Sequence, residues 1–546
     1  MDLDASPALP PRWASTTLGQ VLTVLRGVTY NKQQITNVLS EGFVPVLRAT
    51  NIGYALDFNE TVYVPARCVS QEQYLQSGDI VVAASSGSAS VVGKAAPLLH
   101  DWHGSFGAFC YGLRPATDIA PKYLSFFLQT SEYRNQVSAL AAGVNINNLR
   151  QNHIEDMQVR LAPLPEQHRI VAEIERQFSL LDAGVANLKR VQANLKRYRA
   201  SVLQAACTGQ LVPTEAELAQ AEGRAYEQAD VLLMHILAER RARWEAEQLA
   251  KMEAQGKLPI NGAWKAKYQE PAAPDANGLQ TLPEGWIWTT LGQAFGVFVG
   301  ATPSRGISAY WGGNIRWVSS GEVAFCRINE TRERITEAGL AHTSTKVHPA
   351  GTVLIGMIGE GKTRGQVAIL GQPAANNQNC AAIRASETAV PPEYVYRYLE
   401  GRYAETRQAG SGNNQPALNK TSVSAMPVPL PPLTELERIV AEVERRLSVV
   451  DNLEQVVKAN LRRAERLRQA ILKEAFAGRL VPQEPADEPA GVLLERIRTA
   501  REVVQKEKKK PTAHPTTLAR NVVQYKGKSI SDAVAFEEDG QGALAL

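Results

Sequence analysis

The chain has 546 residues, which at ordinary domain sizes corresponds to roughly three to five domains. With 44% hydrophobic and 21% charged residues it can bury a sizeable core, which excludes a wholly disordered chain. A formal net charge of +4 gives no global basic field, so affinity for nucleic acid has to come from local clusters of cations.

The cysteines Cys68, Cys110, Cys207, Cys326 and Cys380 are scattered without a CxxC pair. This favours reduced thiols in a cytoplasmic protein over a disulfide framework or a zinc site. The opening Met1-Asp-Leu-Asp4 lacks the apolar stretch of a signal peptide. No run approaches the ~18 apolar residues of a membrane-spanning helix, so no membrane partner is expected.

In chain order, residues 1–160 show short apolar runs such as Gly42-Phe-Val-Pro-Val-Leu47 and Ile80-Val-Val-Ala-Ala84, bounded by Gly, Asn and Ser. One helix is predicted at Pro121-Lys-Tyr-Leu-Ser-Phe-Phe-Leu128. The pattern predicts a mixed α/β domain with a curled, mainly antiparallel sheet. Residues 161–281 start with a long helix in which Ile174, Leu181, Leu188, Leu195 and Val202 recur every seven residues beside Val171, Phe178 and Val185. A sustained seven-residue seam is a coiled-coil pattern. Its length is about 45 residues, hence about 68 Å. Pro163 and Pro165 suit an entry turn, Gly209 a left-handed exit, and Pro213 the stop beyond it. Thr214-x-x-Glu217 reads as the capping box of a further helix running to about Gly256, and Pro271–Gly278 as linker.

Residues 282–429 return to the α/β pattern, with strands predicted at Asn314-Ile-Arg-Trp-Val318 and Val353-Leu-Ile355 and a helix at Pro392-Glu-Tyr-Val-Tyr-Arg-Tyr-Leu399. Residues 430–505 return to the long helix, its seam carried by Val443, Val450, Val457, Ala464 and Ile471 and its exit by Gly478 and Pro482. Residues 506–546, with Lys506-Glu-Lys-Lys-Lys-Pro511, read as a solvated, disordered tail.

The chain therefore repeats itself. Residues 161–213 align without a gap onto 430–482 at a constant offset of 269, with roughly four positions in ten identical. Trp13-Ala-Ser-Thr-Thr-Leu-Gly-Gln20 answers Trp286-Ile-Trp-Thr-Thr-Leu-Gly-Gln293, and Gly78-Asp-Ile-Val-Val82 answers Gly351-Thr-Val-Leu-Ile355. Between these anchors the two copies differ almost everywhere. The layout is two variable α/β domains separated by constant long helices that pack as an antiparallel coiled coil, an internal pseudo-twofold repeat.

Gly356-Met-Ile-Gly-Glu-Gly-Lys-Thr363 matches the phosphate-loop pattern GxxxxGK[ST]. A working loop of that kind must open a helix, whereas Arg364-Gly-Gln-Val-Ala-Ile-Leu370 reads as another strand. Residues 281–430 also contain no aspartate to hold Mg²⁺. A hairpin loop offering Lys362 and Arg364 to DNA is the better reading. No methyltransferase motif, HExxH pair or nuclease cluster is found, so no catalytic residue and no metal site are assigned. What remains is polar-loop chemistry, since Asn and Gln can bond adenine bidentately and Arg guanine. Candidate DNA contacts are Arg48, Asn51, Lys94, Asn145 and Asn147 in the first variable domain, and Lys362, Arg364, Asn377, Gln378, Asn413 and Asn414 in the second. The competing reading of each is a turn residue bonded to its own backbone.

The phrases Leu164-Pro-Glu-Gln-His-Arg-Ile-Val-Ala-Glu-Ile174, Leu282-Pro-Glu-Gly-Trp286 and Pro429-Leu-Pro-Pro-Leu433, with Gly-x-Leu-Val-Pro after each long helix, resemble the specificity subunits of type I restriction–modification enzymes. The resemblance covers nearly the whole chain apart from the tail. It implies two target-recognition domains, each reading one half of a split double-stranded DNA site, and long helices acting as a ruler. It also implies docking of two modification (methyltransferase) subunits and, through them, restriction subunits. S-adenosylmethionine, ATP and Mg²⁺ would serve those partners, and this chain would bind no cofactor. Two rivals are a stand-alone NTPase resting on Gly356–Thr363 and a coiled-coil scaffold with no role on DNA.

Overall fold

The computed structural model describes residues 9–88, 90–141, 147–257, 259, 261–275, 277–359, 361–408 and 417–508. Asn145, Asn413, Asn414 and the expected tail beyond 508 lie outside the described residues. The chain divides into two compact units, Met1–Glu175 with Gln469–Leu546, and Arg176–Arg468.

In the first unit, Ala14–Thr17 pairs antiparallel with Gln158–Leu161, so the variable segment enters and leaves through one two-stranded ribbon. A four-stranded antiparallel sheet follows the order Leu22–Arg26, Cys110–Pro115, Ile80–Ala83, Ala95–Pro97. A three-stranded sheet sets Phe43–Leu47 between Val62–Pro65 and Ser105–Phe106, the latter pair parallel. The predicted helix forms at Pro121–Phe127 with proline in its first turn, and Tyr123 donates its hydroxyl to the Arg160 carbonyl at 2.7 Å.

The second unit repeats this plan. Ile287–Thr290 and Pro427–Leu430 form the entry ribbon. The main sheet runs Val297–Val299, Cys380–Ile383, Val353–Gly356, Val367–Leu370, Cys326–Ile328, antiparallel except for the last pair. Its central strands are continuous apolar runs because both faces are covered, and Val353, Leu354 and Ile355 are fully buried. Helix Pro392–Gly401 repeats the tyrosine contact, Tyr394 donating to the Pro429 carbonyl.

The long helices span Leu164–Cys207 and Leu433–Phe476, 44 residues each, hence about 66 Å. Within the second unit they run antiparallel. Asp182 pairs with Arg468 and Arg199 with Asp451, two contacts whose residue numbers share one sum, as only opposed helices allow. Between them Leu188 and Leu195 pack on Val450, Val457 and Leu461. Val202 and Val443 join the core beneath the second sheet. Ile174 is fully buried in the first unit and Leu181 is half-buried. Ile471 departs from the expected seam: it is only half-buried, while its neighbour Leu472 is fully buried. A straight helix drifts by about 20° per heptad against a strict seven-residue repeat, which moves the buried stripe by one position.

Gly209 and Gly478 end the two helices at φ +70°, and a Cβ on either would lie 2.4 Å from a proline ring, Pro283 or Pro10 respectively. Thr214 and Glu217 form the expected capping box, each side chain bonding the other's main-chain N–H. Beyond each long helix the chain turns back onto a variable domain. Arg240, on helix Ala229–Ala254, donates to the carbonyls of Gly292 and Gln293, and Arg501, on helix Ala490–Lys508, to that of Gly19.

A buried junction fixes the start of each long helix. In the second unit the Glu435 carboxylate accepts from the Trp286 indole at 3.0 Å and from the Glu215 main-chain N–H at 2.8 Å. Burial raises the Glu435 pKa above its ordinary value. Burial likewise raises Glu166 in the first unit, where Trp13 and Arg169 work against it.

Candidate nucleic-acid interface

Each unit carries the same main-chain hairpin with a different tip. In the first unit Gly93 N–H donates to the Ala83 carbonyl and Ala83 N–H to that of Lys94. In the second, Gly365 N–H donates to Gly356 and Gly356 N–H to Gln366. A later residue then bonds the base of each hairpin: Leu149 N–H donates to Ala84, and Leu418 N–H to Met357, both at 3.0 Å or less. The scaffold bonds correspond one for one. The tips do not, being Ser85-Ser-Gly-Ser88 in one unit and Met357-Ile-Gly359 with Gly361-Lys362-Thr363 in the other.

This settles the phosphate-loop motif. Gly356–Thr363 bridges antiparallel strands Val353–Gly356 and Val367–Leu370, and no helix opens after it. The helix N-terminus that would hold phosphate groups is missing from this turn.

The candidate contacts separate by exposure. Arg48, Lys94, Lys362 and Gln378 are exposed. Lys362 stands on the hairpin tip while its carbonyl accepts from the Tyr403 hydroxyl at 2.7 Å. Gln378 accepts from the Thr302 hydroxyl at 2.5 Å, and Arg48 reaches the Glu60 carbonyl. Asn147 pairs through its backbone with Ser86, bringing the asparagine segment against the hairpin.

Three candidates face inward. Asn51 is 4% exposed, donates both amide hydrogens to the Asp57 and Asn59 carbonyls, and accepts from Arg48 N–H. Asn377 is 7% exposed and accepts from Asn379 N–H within its own turn. Arg364, also 7% exposed, donates to the Arg407 carbonyl at 2.6 Å. Each of these side chains bonds the main chain of its own unit in this structure.

The family Type I restriction modification DNA specificity domain matches the chain twice, over residues 10–188 and 283–462. The chain belongs to that family. It is 28% identical over 507 residues to the type I restriction enzyme StySPI specificity subunit of Salmonella potsdam, covering 91% of this chain and 96% of that one. It is 28% identical over 508 residues to the EcoKI specificity subunit of Escherichia coli K12, covering 90% and 96%. A solved chain described under complex assembly and conformational transition of the type I R-M system shares the fold at TM-score 0.57 and 20% identity, covering 87% of this chain and all of that one. The protein is thus a DNA-specificity subunit, the non-catalytic type of chain in such systems.

Further residues of this specificity chain escaped the sequence. Arg305 stacks over Trp311 at 4.2 Å and pairs with Glu333, while the Trp311 and Trp317 indoles donate to the carbonyls of Ser304 and Ala301. Together they pin the loop that carries Thr302 beside Gln378. Arg134 and Arg407, which bond main-chain carbonyls of the two hairpins, were also missed. Among the described residues no group of three His, Cys, Asp or Glu side chains is placed to hold a metal, and no helix is long and apolar enough to cross a membrane.

Proposed function

We propose that this subunit reads a split, asymmetric double-stranded DNA target, one half with each variable domain, and docks two modification subunits. The carrying observation is the pair of hairpins with matching main-chain bonds and unlike tips. A shared scaffold presents Lys362 and its neighbours in one unit and a serine-rich tip in the other. Like scaffolds with unlike side chains bind DNA in like manner and select different bases, because phosphate contacts position a protein and base-edge contacts specify the sequence.

The docking surface is an apolar row on each long helix, separate from the buried seam. Leu180, Val191 and Tyr198 lie along the first helix and Val449, Leu453, Val456 and Leu467 along the second, all exposed. Leu180 and Val449 stand at equivalent positions of the repeat, as do Tyr198 and Leu467. Exposed apolar rows at heptad spacing suit partner helices. Rows that coincide at these two positions suit two copies of one partner, with restriction subunits joining through them. Methyl transfer with S-adenosylmethionine, and ATP- and Mg²⁺-dependent steps, belong to these partners in the cytoplasm.

The deciding experiment exchanges residues 282–429 for the equivalent segment of a relative and maps modified bases genome-wide in cells carrying the partner subunits. One half of the target should change while the other half and the spacing persist. A swap that rewrites both halves would defeat modular reading. Val449→Asp with Val456→Asp should abolish assembly with the modification subunit without unfolding the chain.

A further inference from the structure

Both hairpins are held from behind by one arginine of a neighbouring helix. In the first unit Arg134, on helix Ser131–Ala141, donates from Nη1 to the Val92 carbonyl at 2.7 Å and from Nη2 to that of Ser90 at 3.1 Å. In the second, Arg407, on helix Tyr403–Gln408, donates from Nη1 to the Gly361 carbonyl at 2.6 Å. Tyr403 ties the next carbonyl, Lys362, and Arg364 reaches back to the Arg407 carbonyl, closing the clamp. The two arginines act from corresponding helices, each placed between the Pro121 or Pro392 helix and the segment that bonds the hairpin base, although they stand at different positions of the repeat and the loops they hold differ in sequence and length. In these bonds each guanidinium meets main-chain oxygen of the hairpin, so it acts on loop shape.

We propose that Arg134 and Arg407 are positioning residues for sequence recognition: each locks the hairpin of its own unit into the shape that reads one half-site. This rests on the DNA-reading function proposed above. A forked guanidinium can hold two carbonyls in one plane, which a lysine ammonium cannot do with the same geometry. A tip held in advance avoids the ordering cost that a loose loop incurs on binding. Loss of the clamp therefore blurs base choice more than it weakens backbone contact.

The test uses the chain assembled with its modification subunits and reads methylation at matched and singly mismatched targets. Arg407→Ala should reduce discrimination in one half-site about tenfold or more, as expected when a good base contact is lost, and leave the other half intact. Arg134→Ala should do the same in the opposite half. Arg407→Lys, which keeps the charge and spares the fold if the alanine variant does not assemble, should fall between wild type and alanine. Unchanged discrimination, loss spread over both halves, or uniform loss at every site with selectivity preserved would each overturn the proposal. A wild-type complex showing no split target would defeat the functional reading itself.

Discussion

Arg438 donates to the Glu215 carboxylate at 2.7 Å, joining the first turns of the second long helix to the segment just past the end of the first. Arg169 holds Asp487 at 2.6 Å in the other unit by the same construction. Glu215 is almost fully buried and also meets Arg224. Arg438→Ala leaves that carboxylate one charged partner short, and the loss should be about 2 kcal/mol, the range of a hydrogen bond to a charged group. A lowered urea midpoint at unchanged slope is the expected result.

Two carboxylates at this junction should give opposite pH dependences. Burial pushes Glu215 up, but the Arg438 and Arg224 guanidiniums outweigh it and hold its pKa below the ordinary 4.5. Its contribution is present above 4.5 and lost as pH falls through its folded value. Burial raises Glu435 above 4.5, so its contribution is complete below 4.5 and lost as pH rises through its folded value. Glu215→Gln should flatten the acid limb of stability against pH, and Glu435→Gln the limb above it. Urea titrations across both limbs check this, and equal flattening of both by one variant would contradict it.

Helix direction can be checked chemically. A short bifunctional maleimide should join Asp182→Cys to Arg468→Cys efficiently, because the native side chains touch. Asp182→Cys with Asp451→Cys should not react with each other, since Asp451 sits opposite Arg199, about 25 Å further along the helix. Mass spectrometry of the cross-linked peptides distinguishes the two.

Lys362 and Gln378 should fail in different ways. Lys362→Ala should weaken binding of the assembled complex evenly across sequences and reduce its salt dependence by about one counterion, the behaviour of a phosphate contact. Gln378→Ala should relax choice at one base pair, by about 1–3 kcal/mol, as a base-edge contact does. Competition binding against singly substituted targets separates them, and identical profiles would refute the division.

The repeat, the long helices and the exit glycines were legible because they rest on periodicity and on backbone conformations that few residues adopt. The hairpin at Gly356–Thr363 was legible because a short continuous apolar run of strand type lies on either side of it. The loop residues were not. Asn51, Asn377 and Arg364 have the side chains of base readers, yet whether a carboxamide or guanidinium turns to water or to a nearby carbonyl depends on loop closure across many residues. Arg134 and Arg407 stayed hidden because they lie in divergent sequence and bind main-chain atoms, which leave no sequence mark at the partner.

The two-stranded ribbons, Ala14–Thr17 with Gln158–Leu161 and Ile287–Thr290 with Pro427–Leu430, bring the start and finish of each variable segment side by side. A foreign segment therefore joins the frame covalently through one narrow doorway, and beyond it has to match the face that packs on the long helix. Because the bordering sequences recur within the chain, genetic crossover in them would deliver whole replacement segments in register. New specificities can then arise by exchange in a single event, without passing through unstable intermediates that gradual substitution of a core would create.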